Sequence, residues 1–314
     1  MSVLIVGGAG YIGSHVNNFF IEQNIDTVIL DDLTNGNAEA INRASGFYIG
    51  DYGDKNLLRK IFAENYISSI IHLGGYISVH ESTKHPMKYF YNNVYKTKVL
   101  LKEAQKAKVE SIIFASSAAV YGKNNSKYPI KERSNLRPSN PYGWSKLMCE
   151  RMIAASGLRY CNLRLFNVSG CDREIGEAHK EEFHIIPKIT EAHLNKKVFK
   201  LYGNSFNTQD GTCIRDYVHI KDVVQLIYQC YMSNRCTTLN VGSGRGISNL
   251  ELVSTFNSLG YKVHYEIVDA KRADPPVLIA DIAKARKMFH WEPIYSDIQS
   301  IIFSNINWAK NRLY

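Results

Sequence analysis

Val3-Leu4-Ile5-Val6-Gly7-Gly8-Ala9-Gly10-Tyr11-Ile12-Gly13 is the stretch on which the fold turns. Four consecutive branched aliphatic residues read as a central parallel strand, buried on both faces. Gly7, Gly10 and Gly13 follow at intervals of three, and a helical pattern then runs through His15, Val16, Phe19, Phe20 and Ile21. Glycines so placed allow a tight turn, close backbone approach to a pyrophosphate and close helix-to-strand packing. A second strand, Asp26 to Leu30, ends at Asp31. An acidic residue about twenty positions beyond such a loop can accept hydrogen bonds from an adenosine ribose. A glycine turn with no ligand would explain the glycines but not Asp31. Asp32 comes next, with no arginine after it. Two carboxylates repel a 2′-phosphate, so the pattern favours NAD over NADP.

Strand and helix continue to alternate. Gly46 to Asp51 reads as a strand whose terminal Asp51 either reaches an adenine amino group or is a solvated loop residue. Ile67 to His72 is the next strand, and Leu73-Gly74-Gly75 at its end leaves room for a ligand. His85 to Ala107 reads as one long helix with more than one apolar stripe. Its second face is buried within the chain or against a partner subunit. Ser111 to Ala115 is a strand, followed by Ser116-Ser117-Ala118-Ala119-Val120-Tyr121-Gly122. A hydroxyl there can hydrogen-bond a substrate oxygen, although a Ser-Ser pair alone is usually a turn or a cap.

Asn140-Pro141 starts a helix, with proline at the position where its missing N–H costs nothing. Tyr142 and Lys146 then lie four residues apart, on one face and about one turn from each other. A nearby ammonium stabilises a phenolate, so Tyr142 is expected to ionise below its ordinary value and serve as a general base. Tyr160 to Phe166 is a further strand. Past Asn167 the alternation breaks down, which marks a smaller substrate-binding region. There Arg215 is suited to a diphosphate, or else to an ion pair with Asp216 or Asp222. Thr237 to Val241 reads as the last strand.

Composition excludes several classes. Hydrophobic residues make up 45% and charged residues 21% of the 314, ordinary for a globular chain. No apolar run reaches membrane-spanning length, and Met1 to Val6 reads as a strand and not as a signal peptide. A cytoplasmic protein is expected. The six cysteines form no metal-binding spacing, so no metal is expected. The net charge of +9 is spread along the chain without a dense run. It suits an anionic small substrate better than nucleic acid.

Taken together, these motifs resemble the extended short-chain dehydrogenase/reductase superfamily over nearly the full length. Within it they resemble the UDP-galactose 4-epimerases and related UDP-N-acetylglucosamine 4-epimerases. The resemblance rests on the glycine loop, Asp31, Asn92-Asn93-Val94, Ser116 to Gly122, Tyr142 to Lys146, Phe166-Asn167 and Asp210 to His219. It implies a Rossmann-type doubly wound parallel α/β sheet with a smaller C-terminal α/β substrate-binding domain. Residues 1–167 with about 214–241 would bind NAD, and 168–213 with 242–314 the substrate. The cofactor set would be Gly7, Gly10, Tyr11, Ile12, Gly13, Asp31, Asp32, Asn35, Asp51, Tyr52, Leu73, Gly74, Asn93 and Ser116, with Tyr142 and Lys146. Tyr142 would take the proton of the sugar 4-hydroxyl, and Ser117 would hydrogen-bond that oxygen. Hydride would pass to NAD and return to the other face of a rotated 4-keto sugar. Lys146 would hold the nicotinamide ribose. Asn167 and Arg215 would grip the diphosphate of a UDP-sugar, and a homodimer is expected.

Three departures stand out. A cofactor-contacting lysine of the family falls on Ile77. The family's Arg-Arg-x-Gly-Asp segment is Ala270-Lys271-Arg272-Ala273-Asp274, which puts the phosphate cation on Lys271 and keeps Asp274. The position that limits the sugar 2-substituent falls on Leu278, smaller than the tyrosine of members restricted to plain hexoses. Both UDP-hexoses and their N-acetyl counterparts are therefore expected as substrates. Related 4,6-dehydratases carry an Asp-Glu pair where Ala118-Ala119 stands here, so elimination lacks its acid. The alternatives are a 4-reductase or 4,6-dehydratase of the same fold, an NAD-sensing binding protein and, least suited, a nucleic-acid binder.

Overall fold

The computed structural model describes residues 1–123, 129–178, 182, 184–269, 275–312 and 314. β1 (Ser2–Val6) lies inside a seven-stranded sheet and leads through the glycine loop into α1 (Tyr11–Glu22). β2 (Thr27–Asp31) and β3 (Gly46–Ile49) extend the sheet to one side. After α2 (Lys55–Glu64), the chain crosses over to β4 (Ile67–His72) on the other side of β1. β5 (Ser111–Ser117), β6 (Arg159–Leu165) and β10 (Thr237–Val241) complete the order β10-β6-β5-β4-β1-β2-β3. Every neighbouring pair in it is parallel. The direction of winding reverses between β1 and β4, where a ligand crevice opens in folds of this kind.

Successive residues of a strand point to opposite faces, and β1 shows it. Val3 and Ile5 join a core that includes Val16 and Phe20 of α1. Leu4 and Val6 join a separate core with Leu58 and Ile61 of α2. Because both faces are covered, β1 needs an unbroken apolar run and not an alternating one.

The pattern between His85 and Ala107 is one continuous helical run, Pro86 to Lys106, widened by a π-helical turn in its middle. α3 (Val79–Lys84) and α4 (Pro86–Tyr89) precede a π-helical turn at Phe90–Tyr95, and α5 (Lys96–Lys106) follows. The wide turn presents the Asn93 carbonyl to the Thr97 hydroxyl at 2.6 Å and to Cys149 Sγ at 3.1 Å. Such turns often sit at functional sites.

α6 (Pro141–Ala154) covers β5 and β6. β7 (Asn167–Ser169) then starts a second sheet. Next come α7 (Ile185–Leu194), β8 (Phe199–Tyr202) and β9 (Ile214–His219). α8 (Ile220–Tyr231) returns to pack on α1. After β10 come β11 (Gly246–Ser248), α9 (Asn249–Ser258), β12 (Tyr265–Val268) and β13 (Val277–Leu278). α10 (Ala283–Phe289) and α11 (Ile298–Lys310) close the chain. β9 pairs with β7, β11 and β13, while β8 pairs with β12. β10 is thus the last strand of the large sheet but not of the chain. The strands after it span two to four residues, too short for a periodic signal. Among the described residues, no helix is long and apolar enough to cross a membrane.

Candidate active site

The glycine loop forms a cradle at the switch point. Gly7 has φ +79°, and a Cβ on it would lie 2.7 Å from Gly74 N. A Cβ on Gly13 would lie 2.2 Å from Gly7 O, so helix and loop touch only because Gly13 lacks a side chain. Gly10 differs, since a Cβ there would meet nothing nearer than Gly7 O at 3.3 Å. Gly10 caps α1 without a side-chain hydrogen bond, and the first turn carries no acidic residue. The amides at that end of α1 are therefore suited to an anion such as a pyrophosphate. Tyr11 turns its hydroxyl to the Gly170 carbonyl, and Ile12 packs against the core.

At the end of β2, buried Asp31 accepts hydrogen bonds from Ala9 N and Leu33 N, both at 2.9 Å. Burial pushes its carboxyl up, and the two amides pull it back. Asp32 is exposed and accepts from Thr34 N. Asn35 lines a small pocket with Ala9, Gly10 and Tyr11. These features fit a dinucleotide: a loop without side chains, a helix N-terminus and an anchored acid at the second strand.

Asp51 is partly exposed but paired. Lys96 Nζ stands 2.6 Å from its Oδ2, and Lys96 also reaches Asn92 Oδ1 at 2.7 Å. Buried Tyr52 donates its hydroxyl to the Asn92 carbonyl. The Leu73 amide bonds the Val6 carbonyl, which brings Leu73-Gly74 beside the glycine loop. Asn93 fastens this region to α6. Its Oδ1 accepts from Tyr76 N at 2.8 Å, and its Nδ2 donates to Tyr76 O and Ser145 Oγ, each at 3.0 Å. Ile77, in place of the family's lysine, is exposed.

Tyr142 and Lys146 share one face of α6, and both are buried. Lys146 Nζ donates to the Ala115 carbonyl at 2.8 Å and lies 4.9 Å from the centroid of the Phe114 ring. In this dry setting burial lowers Lys146 to about 8. Tyr142 does not follow the expectation of easy ionisation. Burial pushes its hydroxyl up, and interaction with the Ser117 hydroxyl pulls it partly back. The reason is that Lys146 spends its hydrogen bond on β5, while desolvation of the Tyr142 hydroxyl opposes a phenolate. Ser117 ends β5 and accepts from Ala119 N at 3.2 Å. Ser116, expected at the cofactor, gives its hydroxyl to Glu150 instead.

The substrate candidates converge on the second sheet. Asn167 in β7 pairs with Tyr217, and its Nδ2 donates to Asp216 O at 3.0 Å. Leu278 in β13 is the register partner of Arg215 in β9. Arg215 makes no ion pair among the described residues. Asp216 is taken up by Ser243, Gly244 and Ala280, and Asp222 by Tyr295 and Ser296. Among the described residues, the guanidinium bonds its neighbour's carbonyl, Ile214 O. Lys271 and Asp274 lie outside the described residues.

Sequence reading passed over Lys96, Glu150 and Arg164. Glu150 stands four residues after Lys146, so the stripe that joins Tyr142 to Lys146 already pointed to it. Arg164 within an apolar strand demanded a buried partner. The ion pair of Glu177 and His184, beside Tyr11, carried no local signal.

A family model described as the NAD dependent epimerase/dehydratase family matches residues 3–242. The chain is 36% identical to the UDP-glucose 4-epimerase of Lactobacillus helveticus, covering 99% of this chain and 98% of that protein. It is 39% identical to the enzyme of that name from Streptococcus mutans, covering 98% and 96%. The crystal structure of UDP-glucose 4-epimerase from Brucella ovis in complex with NAD superposes with a TM-score of 0.92 at 37% identity, over 98% and 97% of the chains. That of the UDP-Glc/GlcNAc 4-epimerase of Campylobacter jejuni superposes with a TM-score of 0.84 at 33% identity, over 99% of both.

Proposed function

We infer that this chain, which belongs to the NAD dependent epimerase/dehydratase family, is an NAD-dependent UDP-hexose 4-epimerase. One observation bears most on the reaction: Tyr142 and Ser117 meet at the end of β5, and methyl groups of Ala118 and Ala119 follow them. A proton donor and acceptor is present, but an acid for eliminating water is not. This arrangement suits epimerisation and leaves dehydration without its catalyst.

The chemistry that NAD supplies is the reversible acceptance of a hydride. The chain supplies the rest. Tyr142 would exchange a proton with the sugar 4-oxygen, and the Ser117 hydroxyl would hydrogen-bond that oxygen as its charge changes. Lys146 would keep a positive charge beside the nicotinamide ribose. Arg215 and Asn167 would hold the diphosphate while the sugar turns over, with Lys271 and Asp274 completing the grip. The glycine loop, Tyr11, Ile12, Asp31, Asp32, Asn35, Asp51, Tyr52, Leu73, Gly74 and Asn93 would surround the cofactor.

The breadth of substrate is assigned to Leu278, whose place opposite Arg215 sets it near the sugar if the diphosphate lies on that guanidinium. Leucine there would leave room for an N-acetyl group. The two-domain division at residues 167, 214 and 241 is kept as part of the same proposal. A homodimer is supported by Tyr91, Tyr95, Trp144 and Met148, large apolar side chains exposed on the π-helical turn and α6. A cytoplasmic location is supported by the absence of any disulfide among the six cysteines.

The test incubates the protein with UDP-galactose and UDP-N-acetylgalactosamine separately and follows products by chromatography and absorbance. An isomer of unchanged mass with no net NADH is expected from each. Mass loss of one water, or stoichiometric NADH consumption, would replace epimerisation by the dehydratase or reductase reaction.

A further inference from the structure

α6 carries a third buried polar residue on the face of Tyr142 and Lys146. Glu150 follows at the same four-residue step and is 4% exposed. The three residues dock in turn on β5: Tyr142 against Ser117, Lys146 on the Ala115 carbonyl, and Glu150 on the Ser116 hydroxyl at 2.5 Å.

Glu150 also binds the neighbouring strand. Arg164 donates to its carboxylate through Nε at 3.0 Å and Nη2 at 2.8 Å, a two-pronged contact. Ser116 and Arg164 are register partners in the β5–β6 ladder, so one carboxylate spans two strands at the same level. Arg164 Nη1 continues to the Tyr121 hydroxyl at 2.9 Å. Tyr121 ends the short turn that begins at Ser117. The network therefore encloses Ser117, with Ser116 before it and Tyr121 after it, and joins both to the helix that bears Tyr142.

A buried ion pair returns in attraction about what it costs in desolvation. Its effect here is geometric, because rigid bidentate contact fixes distance and angle together. We propose that Glu150, held by Arg164 and Ser116, is a positioning residue that sets the register of α6 on β5 and so the approach of the Tyr142 hydroxyl to Ser117. The proposal rests on the epimerase reading for its consequence in turnover, but not for its geometry.

Two variants test it. Glu150→Asp keeps the charge and withdraws it by one methylene. Ser116→Ala removes the hydroxyl contact while leaving the ion pair. Turnover of UDP-galactose is measured per bound NAD, so that loss of folded protein does not count. Expected is a fall in kcat of about tenfold or more for Glu150→Asp, and a smaller fall for Ser116→Ala, with KM within about twofold of wild type. The rising limb of the pH profile should move to higher pH, because Tyr142 loses part of the Ser117 contact that eases its ionisation. A titration of carbon-13-labelled tyrosine, with Tyr142→Phe identifying the Tyr142 signal, reads the same shift without turnover. Wild-type kcat per bound NAD together with an unshifted Tyr142 titration in both variants would overturn the proposal, whatever happens to the melting temperature. If Glu150→Asp does not fold, Ser116→Ala decides alone. Absence of turnover by the wild type would instead defeat the epimerase reading, and the titration would still judge Glu150.

Discussion

Lys146 Nζ donates to the carbonyl oxygen of Ala115 at 2.8 Å, and its ammonium stands 6.0 Å from the centroid of the Tyr142 ring. The cation is thus stored in a dry seam between helix and sheet, at a cost that pH should reveal. Its folded-state value is lowered to about 8 against an ordinary 10.5. Below pH 8 both folded and unfolded chains carry the charge, and only the folded chain bears the desolvation cost. Between pH 8 and 10.5 the folded chain sheds the proton first, so stability rises with pH. In cofactor-free protein, Lys146→Met should be more stable than wild type at pH 7, by as much as about 3 kcal/mol. The advantage should shrink toward pH 10.5. Urea unfolding at pH 7 and pH 10 measures it, and an advantage that grows with pH would refute the buried-cation account.

Tyr142→Phe removes a single oxygen from a buried ring. Turnover should fall by about 10²–10⁴, the range for losing a general acid–base group. NAD content, measured after release by denaturation, should stay at the wild-type level. Retention of wild-type turnover would exclude Tyr142 as the proton carrier.

The glycines of the loop are not equivalent. Gly13→Ala would drive a Cβ into Gly7 O and Gly8 Cα and should destabilise the apoprotein by about 1–3 kcal/mol. Gly10→Ala meets only Gly7 O at 3.3 Å. It should leave the melting temperature of the apoprotein nearly unchanged while weakening NAD binding. Thermal melts of both variants, paired with NAD titrations, separate scaffold from ligand surface. Equal loss of stability in both would contradict this division.

Leu278→Tyr should narrow the substrate range. Catalytic efficiency toward UDP-N-acetylgalactosamine is expected to fall at least about tenfold, with UDP-galactose little affected. The ratio of kcat/KM for the two substrates is the measurement. An unchanged ratio would show that another residue meets the 2-substituent.

The opening βαβ unit was legible because its signals are local. Strand burial, glycine spacing and Asp31 are read from neighbours in the chain, and the fold reproduces them in that order. The Tyr142–Lys146 pairing was legible for the same reason, since helical periodicity puts them on one face. The π-helical turn at Phe90–Tyr95 within the long helix was not, because such a turn keeps the apolar pattern of a helix while its carbonyl partners, Thr97 and Cys149, depend partly on a distant helix.

What the sequence alone indicated is therefore the kind of site: a glycine loop suited to a dinucleotide, a tyrosine and a lysine on one helical face, and alanines in place of an acid after Ser117. Tertiary structure decided how those groups are poised. Desolvation sums over every surrounding atom, so the rise of Tyr142 and the fall of Lys146 follow from strands and helices far apart in sequence. The same holds for partners. Asp51 found Lys96, Ser116 found Glu150, and Leu278 came to lie beside Arg215. Each pairing joins separate elements whose register is set only when the sheet assembles.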